Sequence, residues 1–137
     1  MKKANDGLPL LGTKANCLGV RPLSDVDLKP PGDVLGDVVS NHKGLSVSAD
    51  WRTLLPHLIP EHLEDDSNGA CGKNMAVYVH GNNTGPFAEG EVGPGLELVF
   101  KAGKIDVGVI RPMATVALTK YQDDLKATRL NWKIDES

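Results

Sequence analysis

Four histidines and two cysteines are the side chains with the widest chemical reach in this chain of 137 residues. His57, His62, Cys71 and His80 can each ligate zinc. Their spacing argues against it, because His57 and His62 stand five residues apart with Pro60 between them, matching neither one helical face nor a zinc-finger pair. No metal is expected. His80, closing an apolar stretch, is the histidine best placed for the acid–base work of RNA cleavage, provided a basic patch lies beside it. Cys17 and Cys71 are 54 residues apart, which is no CxxC motif and too little for a disulfide-stapled scaffold, so two free thiols are expected. No Gly-x-Gly-x-x-Gly, no phosphate-binding Lys-Ser/Thr after a glycine-rich turn and no Gly-x-Ser-x-Gly elbow occurs. What remains is hydroxyls and carboxylates. Ser46 and Ser48 share the polar side of a strand-like stretch, Glu89 and Glu91 form a Glu-x-Glu, and Glu97 lies on a predicted strand. Each also has an ordinary reading, as the solvated side of a strand or a charged turn. Tyr78 either stacks on a nucleotide ring or packs at a sheet edge.

The elements that must position these groups are short. Fifteen glycines and nine prolines argue against a plain helix bundle, and the length fits one domain able to bury roughly two-thirds of its unfolded surface. Fifteen Lys and Arg against 18 Asp and Glu, with no basic run, exclude electrostatic capture of nucleic acid. No stretch approaches ~20 consecutive apolar residues, so no membrane span is expected. Lys2 and Lys3 are followed by polar Ala4–Gly7 where a signal peptide needs an apolar core, so a cytoplasmic protein is expected.

Residues 1–14 read as a polar N-terminal tail ordered by docking, and residues 15–137 as a single α+β domain. Residues 15–21 predict a first strand ending at Arg21, followed by a Pro/Gly-rich loop over 22–43. Residues 44–48 predict a second strand. Trp51, Leu54, Leu55 and Leu58 predict a helix that Pro56 and Pro60 limit to a turn or two, and 64–73 predict a surface loop. Alternation at 75–80, 96–101 and 105–109 predicts a mostly antiparallel sheet, with a hairpin turn at Ala102-Gly103 and a last strand over 113–118. Thr119 to Gln122 fits a capping box, and Tyr121, Leu125, Thr128 and Trp132 fall on one face of the C-terminal helix. Asp123 and Asp124 early and Arg129 and Lys133 late suit its dipole.

Two segments, Gly44 to Ser48 and the helix around Leu125 to Thr128, carry a resemblance to small effector toxins of the type VI secretion system whose fold is like that of ADP-ribosyltransferases. The order of Gly-Leu-Ser-Val-Ser, a Trp/Pro-rich stretch, a strand region and this helix is also similar to a wider group of bacterial proteins. The resemblance implies an ADP-ribosyltransferase-like α+β fold with a split sheet, and a cleft holding NAD as co-substrate with no metal. It implies Arg21 as the grip on the dinucleotide phosphates, with Ser46 and Ser48 ordering the cleft. One of Glu89, Glu91 or Glu97 then positions the ribose or the acceptor. The serine strand here is Ser-Val-Ser, without the middle threonine. A toxin of this type is expected to reach a recipient cell without a cleavable signal, to act on an intracellular target, and to meet an immunity or antitoxin protein. A non-catalytic protein-binding module and an RNase-type toxin are the alternatives.

Overall fold

The computed structural model describes residues 1–14, 16–21, 25–26, 28–29, 37–38, 43–50, 52, 60, 63, 75–80, 88–104 and 106–136. Among these the chain is α+β, with one α-helix and antiparallel sheets. The expected helix after Trp51 and the loop at 64–73 lie outside the described residues, as does most of the loop at 22–43.

The strands are β1 (Leu28–Lys29), β2 (Asp37–Val38), β3 (Leu45–Ser48), β4 (Tyr78–His80), β5 (Gly90–Gly93), β6 (Leu96–Phe100), β7 (Val107–Pro112), β8 (Val116–Ala117) and β9 (Trp132–Ile134); α1 spans Leu118–Ala127. The largest sheet has four strands in the order β3-β7-β6-β5. Its centre is the predicted hairpin. Leu96 and Leu98 alternate with Glu97 and Val99, so burying the leucines turns Glu97 and Val99 to the opposite face. The chain reverses after Phe100, where Lys104 N–H donates to the Lys101 carbonyl at 2.9 Å. Gly103, at φ +74°, takes the left-handed conformation that such a turn needs. The second strand then runs on to Pro112, further than its sequence pattern suggested. The other described strands form two smaller sheets, β4-β9 and β1-β2-β8.

The core is built from Leu18, Val20, Val26, Leu96, Leu98, Ile110, Tyr121, Leu125 and Trp132. Three local expectations are corrected. The described part of the expected first strand, residues 16–21, forms no strand: Leu18 makes an isolated parallel bridge with Leu11, and Val20 pairs with a side chain. The Gln122 amide donates to the Val20 carbonyl at 2.8 Å and accepts its N–H at 3.2 Å, doing the work of a neighbouring strand. That use removes Gln122 from the capping box. The helix begins at Leu118 after Ala117, without a side-chain cap, and its first turn holds no acidic residue. Asp124 instead accepts from Lys120 at 2.9 Å, one turn earlier.

The apolar face from Tyr121 to Trp132 is buried as expected, but it outlasts the helix. A 3-10 turn at Arg129–Asn131 redirects the chain, and Trp132 opens β9. Thr128, buried at this junction, donates to the Leu125 carbonyl at 2.6 Å and accepts the Trp132 indole N–H at 2.9 Å. The Thr128 hydroxyl and the Trp132 indole N–H are thereby both paired. Residues 1–14 lie against this end of the molecule. Lys2 bridges Met75, and Arg129 donates to the Pro9 carbonyl at 2.9 Å and to both oxygens of Asp6.

Candidate functional site

Opposed residues in an antiparallel sheet share a face, as do alternate residues along one strand. In the four-stranded sheet Ser46 faces Val109 and Ser48 faces Val107, while Val109 faces Val99. Arg111 faces Glu97, which faces Glu91 on its other side. Ser46, Ser48, Glu91 and Glu97 therefore project from one face, together with Arg111. The other face carries Leu45, Val47, Leu98 and Ile110 into the core. The hydrophobic pattern fixes which face is polar, because a one-residue slip would expose every core side chain.

Arg111 and Glu97 are joined by a 3.0 Å hydrogen bond from Nε to Oε1, with both side chains mostly buried. Glu91 is exposed on the outer strand, where a bulge after it ends the regular register. Glu89 is committed locally. Its Oε2 accepts the Phe100 N–H at 2.9 Å, closing the end of the β5–β6 ladder. Val109 is buried between Ser46 and Val99, so the face has an apolar floor beneath its polar groups.

Arg21 and Tyr78 lie on other elements. Arg21 stands in an irregular segment and gives Nη2 and Nε to Asp25 at 3.0 and 3.2 Å. Its fork is thus occupied by a carboxylate, whose hydrogen bond raises the guanidinium pKa further. Tyr78, on the β4–β9 ribbon, donates its hydroxyl to the Gly7 carbonyl at 2.8 Å and so holds the N-terminal segment. Burial pushes its pKa up, with Asp6 adding to the effect.

His80 also belongs to this ribbon. Its ring meets Trp132 edge-on at 5.1 Å, and its Nε2 is buried without a hydrogen-bond partner among the described residues. Burial holds its pKa below the usual histidine value. A nitrogen so enclosed does not face a substrate in solvent. Among the described residues, no three or more His, Cys, Asp or Glu side chains gather as a metal site, and no helix is long and apolar enough to cross a membrane.

Arg111 was missed by sequence reasoning. The signal lay in the hairpin register: extending the pairing outward from the turn at residues 102–103 reaches Glu97 opposite Arg111. Comparison with protein-family models, with curated proteins and with solved structures returns no match.

Proposed function

We propose that this chain is an ADP-ribosyltransferase-like protein that binds NAD over the polar face of its four-stranded sheet and transfers ADP-ribose to an intracellular target. One observation carries the reading. Ser46, Ser48, Glu91 and Glu97, which come from separate sequence segments, share a single face.

The chemistry suits the arrangement. When the bond from ribose to nicotinamide breaks, nicotinamide leaves with the bonding electron pair and positive charge builds on the ribose. A carboxylate accepting the ribose 2′-hydroxyl stabilises that charge more in the transition state than in the ground state. Glu91 takes this role, being exposed and on the face. Glu97 is engaged by Arg111, and Glu89 by the Phe100 amide. An acceptor nucleophile then bonds to the freed anomeric carbon and gives up its proton.

Titration of the full chain with NAD tests the reading. Binding to the folded state alone stabilises it by RT ln(1 + [L]/Kd), about 1.4 kcal/mol at ten times Kd. A saturable rise in melting temperature at millimolar NAD is expected. An unchanged melting curve contradicts the proposal.

A second reading, a non-catalytic binding module, draws on exposed apolar side chains: Leu130 is 77% exposed and Met113 51%. It predicts no effect of NAD and harmless overexpression in a bacterial host.

A further inference from the structure

We infer that Arg111 and Ser46 form a phosphate-binding subsite on the polar sheet face, suited to a pyrophosphate-bearing ligand. The inference rests on reading this face as a nucleotide site, and it moves the phosphate grip from Arg21 to Arg111.

Arg111 is on a central strand, and its side chain is 21% exposed against 50% for Arg21. Its one side-chain hydrogen bond among the described residues goes from Nε to Glu97. The two terminal amino groups, with four N–H donors, therefore have no protein acceptor among the described residues. A partly buried guanidinium with its planar fork unengaged matches the oxygens of a phosphate. Partial burial strengthens the attraction, because less water screens it. Arg21 offers no such fork, since Asp25 takes both its Nε and Nη2.

The surroundings complete the subsite. Arg111 lies two residues beyond Val109 along β7, and Val109 is the partner of Ser46. Diagonal neighbours of this kind are roughly 7–8 Å apart, within reach of an arginine side chain. The Ser46 side chain is exposed and can donate to the same anion. Glu97 fixes the guanidinium by its Nε edge and does not take the two terminal amino groups. The carboxylates of Glu91 and Glu97 repel an isolated anion but accept hydroxyls. The face therefore favours a phosphate attached to a hydroxyl-bearing sugar over a bare one.

Calorimetric titration of the full-length chain with inorganic pyrophosphate and with ADP-ribose tests this. Arg111→Gln is expected to weaken both by about 10- to 100-fold, the size of a lost charge-assisted contact. Arg111→Lys falls between, keeping charge without the fork, and Arg21→Gln stays within about twofold of the unaltered protein. Glu97→Gln keeps an acceptor for Nε and removes a repelling charge, so pyrophosphate is expected to bind severalfold tighter. That last result is one a merely structural ion pair would not give, and it serves if the Arg111 variants do not fold. The subsite is overturned if the unaltered protein binds neither pyrophosphate nor ADP-ribose, if Arg21→Gln is the variant that loses them, or if Glu97→Gln changes nothing. NAD bound with equal affinity by Arg111→Gln overturns the subsite while sparing the NAD reading. Pyrophosphate bound through Arg111 with no binding of NAD supports the subsite and removes the NAD reading.

Discussion

Replacing Tyr121 by Phe is expected to lower stability by about 2–4 kcal/mol, the cost of leaving one buried and one partly buried backbone group unpaired. The Tyr121 ring is fully buried, and its hydroxyl donates to the Ile110 carbonyl while accepting the Leu45 N–H at 3.1 Å. Leu45 and Ile110 are partners in the β3–β7 register. A helix side chain is thus inserted into the first rung of the strand pair that carries the serines. Burial pushes the hydroxyl pKa up, so it remains a donor at any ordinary pH. Phe keeps the packing and loses only the bridge. Gly44→Ala attacks the same point sterically, since a Cβ there collides with the Ile110 carbonyl oxygen and comes within 2.7 Å of the Tyr121 hydroxyl. The two effects share a contact and will not add. Urea unfolding measures both, and an unchanged midpoint for Tyr121→Phe contradicts this role.

Glu91→Gln is expected to reduce nicotinamide release from NAD by about 100-fold or more, the usual cost of losing one electrostatic stabiliser of a transition state. NAD affinity should change only a few-fold, because the lost interaction strengthens as charge develops. Stability should hardly move, since Glu91 is exposed and outside the core. Chromatographic assay of nicotinamide with matched melting curves separates the two effects. Equal release by Glu91→Gln and the unaltered protein removes Glu91 from catalysis.

The parts of the fold that were legible in the sequence are those where one periodicity dominates. Leu96, Leu98 and Phe100, with Gly103 after them, give both the strand and its turn. Tyr121, Leu125, Thr128 and Trp132 give the buried face of the C-terminal segment. What failed depends on long-range partners. The apolar run at 15–21 looks like a strand, yet the backbone of Val20 is satisfied by the Gln122 amide, 102 residues away. The same Gln122 looked like a helix cap, and no local rule chooses between those uses. The site was half legible for a similar reason. Alternation puts Ser46 and Ser48 on one polar side, and Glu97 on another strand's polar side. Only the register shows that these sides are one face and that Arg111 shares it.

The most direct measurement is an amide-resolved NMR titration of the full chain with NAD. Saturable shifts centred on Ser46, Ser48, Glu91, Glu97 and Arg111 are expected, with Tyr78 and the Arg21–Asp25 segment unmoved. Saturable shifts confined to the Tyr78 ribbon or to Arg21, or no shifts at millimolar NAD, contradict the assignment of the sheet face as the nucleotide site.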